Sequence, residues 1–380
     1  MSDYRTLLID PQSFSSTRTV FRVERGVPVN SRKIRLLNFG ISNTNGSGVY
    51  FNHNGVYSLL SKISITNLNG AEIDRLTNMD MMGIRLLHMP NSSQFSLARQ
   101  ISQNMCSSIF VNSFSQVSLT EEPQRDDASL MGNSLYLDVS MMLQYLMARN
   151  VLDEGFILIV ELADPSVVGF NYTFTRPMVL AVDEVLGAYV PDPAECAYLT
   201  IIQDKINISS PATGVEQRLN SFYSQYLRNL YIYNIWNSAN NPLRLPLAKL
   251  SETIELTIDG RKLIPLKGVN SVAKKLALLH DFSDPVSICN YSSYISQGTY
   301  EGEQFALYNP NLGITYNTDE GSGVFSYGCI RIDKYIAQDL TLSYNVGSVS
   351  AGVSTVMLLA EVLRGYNRET GVVRFVNTRV

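Results

Sequence analysis

The sequence predicts an all-β chain of two tandem eight-stranded jelly-roll barrels, with a few short helices and long loops. Three observations predict it. Apolar residues recur at alternate positions far more often than at helical spacing. Tight-turn dipeptides join two of the alternating runs. Three stretches recur in the same order about half a chain apart.

Composition sets the bounds. At roughly 150 residues per domain, 380 residues make two or three domains, or two large β units. Apolar residues are 45% of the chain, enough to build a core, and charged residues only 17%, below the roughly 25% of ordinary soluble domains. Neutral polar side chains fill the gap: 41 Ser and 30 Asn, beside 21 Tyr. So much apolar surface argues against disorder. With 30 Lys+Arg against 34 Asp+Glu, the net charge of −4 argues against a basic nucleic-acid binder. Four cysteines (Cys106, Cys196, Cys289 and Cys329) are too few for a disulfide scaffold and are read as reduced core fillers. The longest clean apolar runs, 156–160 and 356–360, fall well short of the roughly 20 residues of a spanning helix. The N-terminus, Met1-Ser2-Asp3-Tyr4-Arg5, lacks the basic-then-apolar order of a secretory signal.

The strands follow from period two. Thr19, Phe21 and Val23 share one face, and Arg18, Arg22 and Glu24 the other. Ile34 and Leu36 share a face with Asn38; Ile63 and Ile65 alternate with Ser64 and Thr66; Leu135, Leu137 and Val139 alternate with Tyr136, Asp138 and Ser140. The run 156–160 is continuously apolar, which predicts a strand covered on both faces. Further strands are expected at 197–202, 230–235, 253–258, 328–332, 340–344, 355–363 and 371–376. Helical patterns are short: 79–89, 140–148, a connector at 214–228, and 271–280 with Ser271 as N-cap. Long polar loops lie between the elements, at 43–54, 91–104, 113–133 and 291–319. Loops of this length usually make contacts with something else.

The repeat pairs 32–38 with 228–234, 62–70 with 253–260, and 135–138 with 329–333. Asn69-Gly70 in the first half and Asp259-Gly260 in the second are the structural hairpin turns, because Asn, Asp and Gly tolerate the positive φ of a two-residue turn. Residues 72–76 and 261–264 are the expected returning strands. Each half then holds about eight strands, and a closed two-sheet jelly roll removes most of their exposed edges. The expected organisation is an N-terminal arm at 1–16, a first roll at 17–210 and a second at 211–380.

Four stretches carry a family resemblance: 57–73 through Asn69-Gly70, 135–146 followed by 155–162, 176–185, and the second-half copy 328–344. In them the chain resembles the double jelly-roll major capsid proteins of tailless icosahedral dsDNA viruses, the polinton-like virus, virophage and PRD1–adenovirus lineage. The resemblance implies a structural virion protein, made in the host cell without a secretion signal. It implies homotrimers whose six barrels form a pseudo-hexagonal capsomer, tiled into an icosahedral capsid. The implied partners are neighbouring capsomers, penton and minor capsid proteins, and an internal membrane where the virus has one, with no sequence-specific nucleic-acid binding. Residues 2–16 resemble the arms by which such proteins reach neighbours or an inner layer.

No catalytic, cofactor or metal site is expected. His53, His88 and His280 have no His or Cys partner at metal-ligand spacing. No phosphate-binding Gly loop with a following Lys occurs, and Gly321-Ser322-Gly323 lacks the nucleophile-elbow spacing. Glu121, Glu122, Asp126 and Asp127 form an acidic loop that would need two members across a cleft for glycoside chemistry; a solvated loop is the simpler reading. The sequons at Asn45, Asn91, Asn171, Asn207 and Asn290 carry little weight without secretion, and the one Trp, Trp236, reads as a core residue. The alternative to a shell protein is a viral β-sandwich binder of receptors or carbohydrate, of fibre, spike or penton type. It would gain from an aromatic sugar platform recurring in both halves, and none recurs.

Overall fold

Alternation decides where strands form and which face is buried. In a computed structural model, residues 4–43, 59–78, 80–81, 135–139, 151–168, 171–189, 194–236, 248–250, 253–267, 299–300, 303–304, 323–349 and 354–376 are described. Among them, residues up to Thr200 together with Arg364–Arg374 form one compact unit. Residues Ile201–Leu363 and those from Phe375 form the other.

The first unit carries β1 (Tyr4–Ile9), β2 (Ser13–Phe14), β3 (Arg18–Val23), β4 (Val29–Asn43), β5 (Leu60–Thr66), β6 (Glu72–Thr77), β7 (Leu135–Asp138), β8 (Val151–Leu152) and β9 (Phe156–Leu162). A four-residue helix, α1 (Pro165–Val168), then precedes β10 (Tyr172–Arg176) and β11 (Val179–Val185). One sheet runs β1-β11-β4-β10, with β7 and β8 also paired to β4; the other runs β2-β3-β9-β5-β6. In β3, Thr19, Phe21 and Val23 are at most 1% exposed while Arg18 and Arg22 face out. Ile34, Leu36, Leu158 and Val160 are fully buried.

Next come β12 (Glu195–Ile208), β13 (Ala212–Arg218), β14 (Tyr226–Trp236), β15 (Ala248–Leu250), β16 (Thr253–Ile258), β17 (Arg261–Lys267), the ribbon β18 (Thr299–Tyr300) and β19 (Glu303–Gln304), β20 (Gly323–Tyr335), β21 (Leu340–Val349), β22 (Ser354–Asn367) and β23 (Val372–Phe375). One sheet runs β12-β22-β14-β20, with β23 on β22; the other runs β13-β21-β16-β17, with β15 on β21. Phe222, Leu227, Leu230, Leu342, Leu358 and Ala360, all 0% exposed, lie in the core between them.

Both sheet pairs follow one plan. Take the eight strands β1, β3, β4, β5, β6, β7, β9 and β11 in chain order. One sheet then reads first-eighth-third-sixth and the other second-seventh-fourth-fifth. The strands β12, β13, β14, β16, β17, β20, β21 and β22 give the same order. This is the two-sheet Greek-key arrangement of a jelly roll, and it occurs twice. The three sequence repeats fall on equivalent strands: β4 with β14, β5 with β16, β7 with β20.

The structure differs from the sequence reading at four places. Residues 214–228, read as a helical connector, form the end of β13, a 3-10 turn at Asn220–Phe222 and the start of β14. Val215, Leu219, Phe222 and Tyr226 have helix-like spacing, but Gly214 sits at φ +65°, outside the helical region, and Val215 packs on the core from a strand paired with β21. Second, the apolar run of β9 is not covered on both sides: Phe156, Leu158 and Val160 are buried, whereas Ile157 and Ile159 are half-buried. Third, residues 1–16 contribute β1 and β2 to the sheets. Fourth, the connection through Asn69-Gly70 is longer than two residues, as described below. The patterns at 82–89, 140–148 and 271–280 lie outside the described residues, and no described helix is long and apolar enough to cross a membrane.

Candidate functional site

The two turn dipeptides are built differently. Ile258 pairs directly with Arg261, so Asp259 and Gly260 alone form the turn, at φ +48° and +73°. That is the twist-matched two-residue hairpin. Asp259 is also an anchor. Its Oδ1 accepts the N–H groups of Gln338 at 2.8 Å and Asp339 at 3.3 Å, and its Oδ2 meets Lys334 Nζ at 3.0 Å. Burial pushes this carboxyl up, but those N–H groups and Lys334 hold it below the ordinary aspartate range. In the first unit, Thr66 pairs with Glu72, leaving five residues in the connection. Here Asn67 organises the turn: its Oδ1 accepts the N–H groups of Asn69 at 3.0 Å and Ala71 at 2.9 Å, an Asx-type turn. Gly70 alone takes positive φ, +88°. Asn67 is the residue that sequence reasoning missed; a side chain able to bond its own backbone two residues on was the signal available.

A polar cleft of about 220 Å³ lies in the first unit, lined by Arg25, Asp153, Glu154, Ala194, Arg368 and Glu369. The Arg368 guanidinium donates to Asp153 and reaches Glu154 Oε2 at 3.4 Å. Tyr189 donates its hydroxyl to Asp153 Oδ2 at 3.1 Å, and the Arg368 N–H bonds Ala194 O at 2.8 Å. Burial pushes the Glu154 carboxyl up, against the pull of Arg368. Tyr366 is 2% exposed; burial and the facing Glu154 charge push its hydroxyl well up. One guanidinium held by two consecutive carboxylates is a structural clamp on the 364–374 segment.

A second polar knot fastens β1. Asp183 on β11, 5% exposed, receives the Thr6 hydroxyl at 2.9 Å, Arg35, and Lys33 at 3.4 Å. Burial raises this carboxyl, but Thr6, Arg35 and Lys33 outweigh it and hold it below the ordinary range. Arg5 pairs with Glu184 at 2.5 Å, and Lys33 stands 5.5 Å over the Tyr4 ring.

Among the described residues no group of three or more His, Cys, Asp or Glu is placed to hold a metal ion. Cys196 is buried and donates its thiol to Tyr366 O at 3.5 Å. Trp236 is the last residue of β14, opposite Gly323. Glu121, Glu122, Asp126, Asp127, the three histidines, Cys106 and Cys289 lie outside the described residues.

No family model and no curated protein matches the chain. Solved structures do. A chain of the Sputnik virophage structure covers 100% of this chain and 91% of its own, at TM-score 0.53 and 11% identity. A chain of the PBCV-1 virus capsid covers 99% and 98%, at TM-score 0.56 and 12% identity. The fold is a double jelly roll. PBCV-1 VP54, fitted into a Sputnik reconstruction, covers 100% and 98% at TM-score 0.52 and 13% identity. These neighbours are double jelly-roll major capsid proteins. The match runs through both rolls, so the likeness is to the tandem arrangement and not to one barrel.

Proposed function

We propose that this double jelly roll is a viral major capsid protein. It forms homotrimeric, pseudo-hexagonal capsomers that tile an icosahedral shell, and it has no enzymatic activity. The observation that carries the reading is the end-to-end match to virion shell chains, at 99–100% of this chain and 91–98% of theirs. Two rolls per chain give six barrels per trimer, a six-sided unit from three identical copies. The composition suits this. Only 17% of residues are charged, so many identical surfaces meet with little like-charge repulsion. Abundant Ser, Asn and Tyr supply the hydrogen-bonding rim that reversible contacts use. Both polar knots hold chain segments in place, which is a structural task.

Light scattering on purified protein, with electron microscopy of the same sample, tests this. The expected species has three times the chain mass of 42.4 kDa and a six-sided outline. A monomer at all concentrations overturns the reading.

A further inference from the structure

Three stretches of the first unit converge on one late segment of the chain. They are Asp153 and Glu154 between β8 and β9, residues 194–196 where β12 begins, and Asn67 after β5. The segment is Arg364–Arg374, which belongs to the first unit although Ile201–Leu363 of the second precede it in sequence. The receiving groups are set by their own surroundings. Gly26 N–H holds Asp153 O at 2.8 Å. Gly155, at φ +77°, is packed so closely that a β-carbon there would lie 2.8 Å from Arg25 N and Val23 O. The two carboxylates are therefore aimed by a turn with no spare room. Asn67 Oδ1 is already committed to the N–H groups of Asn69 and Ala71.

What these groups need, the segment supplies. Asp153 and Glu154 have side chains only 18% and 14% exposed, and Arg368 makes their ion pairs. Without it, two neighbouring carboxylates would sit half out of water with no cation, a costly arrangement. The Arg368 N–H bonds Ala194 O at 2.8 Å, Tyr366 O accepts the Cys196 thiol at 3.5 Å, and Arg374 pairs with Glu195 at 2.5 Å. Tyr366 is 2% exposed. Gly371, at φ +69°, passes so close to Asn67 that a β-carbon would collide with Asn67 Nδ2. The grip lies at 366–371, because Val372 and Phe375 of β23 are exposed. The 220 Å³ cleft is lined from both sides, by Arg25, Asp153, Glu154 and Ala194 on the body and by Arg368 and Glu369 on the segment. It is the seam between them.

We infer that 364–374 is a strap that closes the first roll, so that the roll written first in the chain is completed by residues made after the second. A chain stopped before Arg364 holds every strand of the first unit's two sheets, β1 through β11, and still lacks its closure. The strap is a conformational device because its partners come from three separate stretches of the body. It ties the β8–β9 connection to the start of β12 and to the turn after β5, and no one of these ties is local in sequence.

Pulse-labelling hydrogen exchange during refolding of the full wild-type chain reads the order of events. Amides of β9 and of residues 195–200 are expected to become protected in the same kinetic phase as those of 364–368. Protection of β9 in an earlier phase, with 364–368 still open, overturns the inference. At equilibrium, R368M takes the guanidinium from both carboxylates and keeps the apolar stem. Amides across the first unit, including β3 and β11 and not only the stretches beside Arg368, are expected to exchange roughly ten-fold faster or more, with β16 and β21 unchanged. Acceleration confined to 364–374 would make the segment a surface attachment and overturn the inference. Equal acceleration in both units would make Arg368 a general stabiliser and overturn it as well. G371A is expected to give the same pattern without touching a charge. If neither variant folds, the wild-type refolding order still decides.

Discussion

The first strands of the two rolls occupy the same place in the strand order and are held by different means. β1 is exposed at four of its six residues, with Leu7 and Ile9 half-buried. What fastens it, besides main-chain pairing to β11, is charge: Arg5 on Glu184, and Thr6 on an Asp183 already gripped by Arg35 and Lys33. β12 opens with Cys196, Ala197, Tyr198 and Leu199, all 9% exposed or less, and Tyr198 donates its hydroxyl to Ile73 O at 2.7 Å. On the eighth strands, Asp183 of β11 faces two cations, and Glu361 of β22, 3% exposed, accepts from the Asn229 amide at 2.6 Å. A repeated topology therefore preserves which strand neighbours which, and leaves open whether charge or burial secures each strand.

The largest expected effect tests whether the rolls are separate cores. Phe222 is 0% exposed and anchors the 3-10 turn into the core of the second unit. F222A should cost about 3–5 kcal/mol, the transfer and cavity penalty of a buried phenylalanine. In calorimetry the shift should fall on one of two transitions. One transition moving as a whole would show that the rolls unfold together, and the comparison of separate cores would break.

The turns give the next effect. D259A removes the acceptor of two backbone N–H groups and the Lys334 partner, and leaves alanine at positive φ. A cost of about 2 kcal/mol is expected, since two N–H groups and Lys334 lose their partner and alanine lacks the local side-chain bonding that lets aspartate tolerate this φ. N69A in the first roll should cost no more than a few tenths of a kcal/mol, because Asn67 supplies the side-chain bonds there. Urea titrations of both variants measure the difference. Equal costs would mean that the turns are equivalent after all.

What could be read in the sequence divides along the same line. Thr19, Phe21 and Val23 announced β3 because one wet and one dry face force alternation. The dipeptide Asp259-Gly260 announced its hairpin because turn chemistry is local. β1 gave no signal, since a strand with four exposed residues has no buried face to pattern. Val215, Leu219, Phe222 and Tyr226 gave a false one, because a strand, a tight turn and a second strand can place apolar residues at helical spacing. The Arg368 clamp was out of reach: its carboxylates lie 214 and 215 positions away, and only the path of the chain brings them together. The isoleucines of β9 were visible as a continuous apolar run. Their half-burial was not, because sequence shows that a face is apolar and not what covers it.

A smaller effect sharpens the contrast between first strands. Asp183 titrates below the ordinary range in the folded chain, so its ionised form stabilises the fold. That contribution is complete above the unfolded value near 3.9 and is lost as pH falls through the folded one. Lys33 is 53% exposed and Arg35 25%, so solvent screening keeps the contribution to about 1 kcal/mol. D183N should remove it at neutral pH. Hydrogen exchange should show β1 amides opening faster in the variant, and in the wild type below about pH 4, with β12 amides unchanged. Equal acceleration in both strands would show that charge is not what distinguishes them.

The smallest effect has the opposite sign. Burial pushes the Glu154 carboxyl up, so the fold takes up a proton there more readily than the unfolded chain does. The ionised form is a liability at neutral pH, relieved as pH falls through the raised value towards the unfolded one near 4.3. Arg368 offsets part of this, and it keeps Asp153 whatever happens to Glu154. E154Q preserves the shape, removes the buried charge, and supplies an amide that can bond the Tyr366 hydroxyl. It should therefore be neutral or stabilising by up to about 0.5 kcal/mol at pH 7, and lose that advantage near pH 4. D183N, in contrast, costs stability at pH 7 and little at pH 3. Urea midpoints for the two variants across this range should accordingly diverge from wild type in opposite directions at neutral pH and converge on it in acid. A destabilised E154Q at pH 7 would mean that the Arg368 attraction exceeds the cost of burying the charge, and ion pairing would then be a net stabiliser in both knots.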